Sequence, residues 1–121
     1  MDIYKGGSKY GEITDFGDVY VNGQHKGQIS SDGRITVFGL SSGSFTTNGE
    51  VWGSSRLGSI SEYGDMYVRG QKVGNLDNYG NIYLHGSRWG EAYGGEDQQK
   101  NITAFAFLVF FTNAFPAHNQ R

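Results

Sequence analysis

Residues 18-DVYVNGQHKGQISSDG-33 return in the same pattern as 65-DMYVRGQKVGNLDNYG-80, and this repetition decides the fold. Steps of 16 residues outward find four more copies: 2-DIYKGGSKYGEITDFG-17, 34-RITVFGLSSGSFTTNG-49, 50-EVWGSSRLGSISEYG-64 and 81-NIYLHGSRWGEAYGGE-96. The fourth is one residue short, in its first turn. Six units starting at 2, 18, 34, 50, 65 and 81 therefore fill a repeat domain over residues 1–96, with a linker and an apolar segment over 97–121. Of the 20 glycines, 16 fall in three columns: Gly11, Gly27, Gly43, Gly58, Gly74 and Gly90; Gly17, Gly33, Gly49, Gly64 and Gly80; and Gly7, Gly23, Gly39, Gly70 and Gly86.

Within a unit the pattern has period two, which argues for strands. Position two is always apolar (Ile3, Val19, Ile35, Val51, Met66, Ile82), position four mostly so (Val21, Val37, Val68, Leu84). Position twelve repeats the signal in Ile13, Ile29, Phe45, Ile60, Leu76 and Ala92. These columns are the expected buried face. Position three (Tyr4, Tyr20, Thr36, Trp52, Tyr67, Tyr83) must point the other way, and its β-branched and aromatic residues suit strands. The glycines read as turns. Asp32-Gly33 and Asn48-Gly49 match a type I′ hairpin, while Phe16-Gly17, Tyr63-Gly64 and Tyr79-Gly80 need positive φ only at glycine, as in a bulged turn. The other turn carries Asn22-Gly23 and Arg69-Gly70. Each unit is then two short strands, and the fold class is all-β: an up-and-down meander of six hairpins, closed or radially arranged.

A barrel of about eight strands is filled by its own side chains, so twelve strands call for a plug. The stretch 102-ITAFAFLVFFTNAF-115 supplies one, and Pro116 ends it. As a helix it spans about 21 Å, short of the roughly 30 Å hydrocarbon core, which disfavours a transmembrane span. Phe105, Leu108, Phe111 and Phe115 line one helical stripe, and Phe107 and Phe110 make the segment apolar nearly all round, so it needs burial on every side. A buried strand is the competing reading, and contact with a membrane or partner is a third.

Gly-punctuated units of the form Val-Tyr-Val-x-Gly-x-x-x-Gly-x-Ile, followed by an apolar C-terminal stretch, resemble the four-fold beta flower family over residues 2 to about 115. The resemblance implies a radial arrangement of hairpins and carries no activity with it. This chain departs from the family by having six units and a Phe-rich tail. Bactofilin-like β-helices and MORN hairpin repeats match less well in period and aromatic placement.

The 121 residues, net charge −2 and absence of cysteine allow one domain with a modest core and exclude disulfide, Cys-zinc and Cys-redox chemistry. Ten Lys and Arg against twelve Asp and Glu give no broad nucleic-acid footprint. No basic region followed by an apolar stretch opens the chain, so no secretory signal is expected; location stays open, with the cytoplasm favoured. The three histidines, His25, His85 and His118, form no recognisable catalytic or zinc spacing, and no nucleophile elbow or phosphate loop is present. The expectation is a non-enzyme without cofactor or metal.

Two features remain as candidate sites. The basic residues Lys9, His25, Arg56, Lys72 and Arg88 fall near first turns, and the acidic Asp2, Asp18, Glu50 and Asp65 fall near second turns. Alternate turns of a meander lie at opposite ends, which predicts a basic rim and an acidic rim. Complementary rims favour head-to-tail self-association into a homo-oligomer or filament. The aromatic column Tyr4, Tyr20, Trp52, Tyr67 and Tyr83 is the second candidate, a platform for sugar rings or a partner, with Tyr10, Trp89 and Tyr93 nearby. The leading functional expectation is a structural or assembly module. A carbohydrate-binding module comes next, then a membrane-associated protein anchored by residues 102–115.

Overall fold

In a computed structural model, which describes residues 1–95 and 99–115, the six units form six antiparallel hairpins. Their strands are β1 (Asp2–Lys5), β2 (Ser8–Ile13), β3 (Asp18–Val21), β4 (Gln24–Ile29), β5 (Arg34–Val37), β6 (Leu40–Phe45), β7 (Glu50–Trp52), β8 (Arg56–Ile60), β9 (Asp65–Val68), β10 (Gln71–Leu76), β11 (Asn81–Leu84) and β12 (Ser87–Tyr93). Each strand pairs with its sequence neighbours, and β1 pairs with β12 through Asp2↔Tyr93, Ile3↔Ala92 and Tyr4↔Glu91. The barrel is therefore closed, which removes the edges that twelve short strands would otherwise expose. The expected boundary at 96/97, Pro116 and His118 lie outside the described residues.

Two kinds of turn alternate. In five hairpins the first turn is a tight two-residue link with both central residues at positive φ: Gly6 and Gly7 in the first, and in the others Asn22, Phe38, Arg69 and His85, between 52° and 56°, each followed by glycine. The short fourth unit links its strands through residues 53–55, where the Gly53 N–H donates to the Ser55 carbonyl (2.9 Å). The five two-residue links are the type I′ turns. Asp32-Gly33 and Asn48-Gly49 are not, contrary to the sequence expectation. There only the glycine has positive φ, and the N–H of Gly33 donates to the Ser30 carbonyl at 3.0 Å. The second turns are held by the residue at position 13, whose side-chain oxygen accepts the N–H that opens the next unit. Thr14 takes it from Asp18 (3.1 Å), Thr46 from Glu50 (3.2 Å), Ser61 from Asp65 (3.1 Å) and Asp77 from Asn81 (2.9 Å).

Every hairpin carries a register shift after its position-two or neighbouring pair. In the second, Val19 pairs with Gly27 but Tyr20 pairs with His25, so Lys26 is the extra residue of a β-bulge. The glycine column Gly11 to Gly90 follows this bulge inside the strand, not in a turn, and this corrects the reading of that column. Space explains the glycine. A Cβ on Gly27 would stand 2.1 Å from the Thr36 carbonyl oxygen, and on Gly43 2.3 Å from that of Trp52.

The barrel is filled by α1 (Lys100–Phe111), so the helical reading of the tail holds, with shifted bounds. Inward glycines of four successive hairpins each receive a helix ring. The position a Cβ would take lies 2.7 Å from Phe107 at Gly11, 3.0 Å from Phe111 at Gly27, 2.5 Å from Phe110 at Gly43 and 3.0 Å from Phe105 at Gly58. Phe105, Phe107 and Leu108 are fully buried in one cluster with Ile3, Val19, Ile35, Val51, Met66 and Ile82. Full burial of each is worth about 1.5–3 kcal/mol over exposure. At the mouth formed by the second turns, Gln99 donates to the Ser31 carbonyl (3.3 Å), and Asn101 to those of Ser61 and Glu62 (3.4 Å each). Amides thus tie the helix start to two sides of the mouth. The helix stops at Phe111 rather than running to residue 115. Thr112 turns extended, its hydroxyl donates to the Leu108 carbonyl (2.6 Å) and accepts from the Ala114 N–H (3.0 Å). Phe115 accordingly leaves the expected helical stripe and folds back edge-on against Phe105, with centroids 6.0 Å apart.

Candidate functional site

The outer wall is built from positions one, three, eight and eleven of each unit. Position three alternates outward, and the bulge brings position eight to face it across the hairpin: Tyr4↔Lys9, Tyr20↔His25, Trp52↔Arg56, Tyr67↔Lys72 and Tyr83↔Arg88. Position one lies one outward step further along the same strand. The acidic and basic candidates therefore do not form two separated rims. Lys9 meets Asp2 (3.4 Å) and Glu12 (3.1 Å), His25 meets Asp18 (3.3 Å), Arg56 meets Glu50 (3.7 Å) and Lys72 meets Asp65 (3.1 Å). Arg88 turns to Glu91 and to the Asn81 amide oxygen. The physical reason is the bulge, whose extra residue carries position eight onto the outer face within a diagonal step of position one. These pairs are solvent-exposed and individually contribute little to stability. Their effect on the carboxylates is local: the Gln28 amide and then the His25 ring hold the Asp18 carboxyl below its ordinary pKa, and the hydrogen bond to Glu12 holds the Lys9 ammonium above its own.

The aromatic column runs round this wall as a belt interrupted at hairpin three, where Thr36 stands. Trp52 and Tyr67 are 36% and 37% exposed, and Tyr4, Tyr20 and Tyr83 are half-buried. Tyr4 packs edge-on against Tyr93 at 5.7 Å, Tyr20 against His25 at 5.2 Å. Tyr10 and Trp89, at position nine, are half-buried against the core. Tyr10 meets both Trp89 and the plug ring Phe107 edge-on, and the Lys5 ammonium lies over the Tyr10 and Trp89 rings.

Between hairpins the belt opens into grooves, and two of them are built from equivalent residues. The groove between β2 and β3, about 270 Å³, is framed by Lys9, Glu12, Tyr20 and Asn22; that between β8 and β9, about 370 Å³, by Arg56, Ser59, Tyr67 and Arg69. In both, the floor passes over the strand glycine (Gly11 or Gly58), the aromatic ring comes from the next hairpin, and the far wall is its first turn. Positions five and eleven were not singled out from the sequence. Position eleven had a visible signal, because Glu12, Gln28, Ser44, Ser59, Asn75 and Glu91 are all polar between two inward columns. Position five had none beyond turn propensity.

The second-turn mouth presents three nearly bare rings, Phe16 (90% exposed), Tyr63 (81%) and Tyr79 (84%). At the opposite end Phe38 and Leu40 are exposed, with Lys26 over the Phe38 ring at 5.3 Å. Among the described residues, no three His, Cys, Asp or Glu side chains gather as a metal site, and no helix is long and apolar enough to cross a membrane. Of the tail candidates, Phe105, Leu108 and Phe115 are buried and Phe111 is half-buried against the core, so their apolar surface is spent inside the molecule. Comparison with protein-family models, with curated proteins and with solved structures finds no match to this chain.

Proposed function

We propose that the protein is a non-enzymatic binding module whose outer grooves take carbohydrate. The observation that carries this reading is the recurrence of one groove, at equivalent positions, between hairpins one and two and between hairpins four and five. A pyranose ring offers an apolar C–H face and a rim of hydroxyls. Tyr20 and Tyr67 supply a flat apolar face, and Lys9, Glu12 and Asn22, or Arg56, Ser59 and Arg69, supply donors and acceptors around it. Volumes of about 270 and 370 Å³ suit one sugar residue rather than a long chain. A single shallow site makes few contacts and binds weakly, and repetition around a ring raises the affinity for a multivalent ligand.

The test is a two-dimensional amide NMR titration of the whole chain with neutral and charged glycosides. Shifts are expected at Glu12, Tyr20 and Gly23 and at Ser59, Tyr67 and Gly70, and Tyr20→Ala and Tyr67→Ala each abolish one set. A panel that moves neither set refutes the reading.

Self-association is a second reading, favoured by the exposed Phe16, Tyr63 and Tyr79 at one mouth and the exposed Arg69 and half-buried Lys26 near the other. Rings at one end and cations at the other are complementary head to tail. Sedimentation across a salt series separates this from glycan binding: a strict monomer at high concentration and low salt removes it.

A further inference from the structure

The two equivalent grooves differ in charge. We propose that the groove between hairpins four and five selects saccharides bearing a carboxylate, whereas the groove between hairpins one and two takes neutral ones; this rests on the carbohydrate reading above. In the groove of hairpins one and two, the Lys9 ammonium is claimed by two carboxylates, Glu12 at 3.1 Å and Asp2 at 3.4 Å. Asn22 forms its far wall, so the groove lining carries one cation and one carboxylate, and that cation is already paired. In the other groove Ser59 stands where Glu12 stood and Arg69 where Asn22 stood. Arg56 has one carboxylate partner, Glu50, at 3.7 Å, and Arg69 makes no ion pair among the described residues. The guanidinium of Arg69 is exposed on the first turn, and its planar fork of donors matches a carboxylate in two-point contact. Tyr67 between the two arginines holds the sugar ring, as Tyr20 does in the other groove.

The turn itself provides a clean variant. Arg69 sits at φ 56° and Asn22 at φ 52° in the same type I′ position. Arg69→Asn therefore places in hairpin five the residue that hairpin two already carries, without disturbing the turn. The probes are methyl glucoside and methyl glucuronide, which differ only in a hydroxymethyl group against a carboxylate, with sodium acetate as the free-carboxylate control. Amide shifts of the intact chain are followed at Ser59, Tyr67 and Gly70 for one groove and at Glu12, Tyr20 and Gly23 for the other. The glucuronide is expected to bind the groove of hairpins four and five about fivefold tighter than the glucoside, the effect of one charge pair near the surface. The groove of hairpins one and two shows no such preference. Arg69→Asn abolishes the preference, so that the two glycosides bind this groove equally, while Tyr67→Ala loses both. Equal affinity of the two glycosides at Tyr67 overturns the selectivity and leaves the carbohydrate reading standing. Acetate reproducing the glucuronide shifts at equal concentration overturns it too, because the arginines then bind a bare anion. Silence of both grooves toward both glycosides removes the carbohydrate reading itself.

Discussion

Gly11→Ala tests directly whether the strand glycines are seats for the rings of the plug. A Cβ at Gly11 would lie 2.7 Å from Phe107 Cζ and 2.8 Å from the Tyr20 carbonyl oxygen. The first approach is about 0.8 Å short of an ordinary carbon–carbon contact, so the ring or the strand has to move. Phe107 is fully buried, and overpacking of this kind costs about 1–3 kcal/mol. Phe107→Leu withdraws the outermost ring atoms and leaves some empty space, at a cost of about 1–1.5 kcal/mol. Combined, the two changes are expected to cost less than their sum by about 0.5–1.5 kcal/mol, because the shorter side chain vacates the volume that the new methyl takes. Urea unfolding followed by tryptophan fluorescence reads the cycle, since Trp89 packs on Tyr10 and Tyr10 on Phe107. A loss of about 2 kcal/mol moves the midpoint by about 1 M at an ordinary slope. Gly53→Ala is the control: its Cβ would meet only the Leu57 side chain, at 3.3 Å, and stability stays within about 0.5 kcal/mol. Additivity of Gly11→Ala and Phe107→Leu within about 0.3 kcal/mol would refute the seating of the ring on the glycine.

Phe38 holds φ 53° at a turn where its equivalents are glycine, asparagine, arginine and histidine, a conformation costing a bulky residue about 1 kcal/mol. Phe38→Asn is expected to raise the thermal midpoint by about 2–4 °C after loss of the Lys26 contact; a lower midpoint contradicts the assignment of strain. The Asp18 carboxyl is held below its ordinary pKa by Gln28 and then His25, so its linked contribution to stability is full above the unfolded value of about 3.9 and is lost as pH falls through the lower folded value. Gln28→Ala moves the Asp18 titration, read by carboxyl NMR, upward toward 3.9, and an unmoved titration contradicts the assigned cause.

The hairpins were legible because the inward columns keep strict period two from positions two to four and ten to twelve, and every inward side chain of position two is fully buried. The bulge at position nine was not legible, since the inserted residue has no uniform composition: Tyr10, Leu57, Val73 and Trp89 are apolar, whereas Lys26 and Ser42 are polar. Its only trace is the glycine two places after position eight, which resembles a turn glycine in sequence. Missing the bulge placed position eight at a rim instead of opposite the aromatic column, and with it the charge map. The tail's helical state followed from its all-round apolarity, but its end did not. Thr112 ends α1 by bonding the Leu108 carbonyl through its side chain, and a lone threonine in an apolar run is also compatible with a continuing helix.

Closure and plug together separate what folds the chain from what it displays. The inward columns, the strand glycines and α1 carry the core, and none of positions one, three, five, eight or eleven contributes a side chain to the buried cluster. Hairpin three demonstrates the separation. Its wall has Arg34, Thr36 and Ser41 where neighbours have an acid, an aromatic and a basic residue, yet Ile35 and Phe45 are as buried as their equivalents. One groove can therefore change its charge or lose its ring while the inward columns stay buried. Six copies of one hairpin then present six independently variable outer surfaces on a single core, which is why the Arg69 groove and the Asn22 groove can differ in charge while sharing a fold down to the angle of the turn.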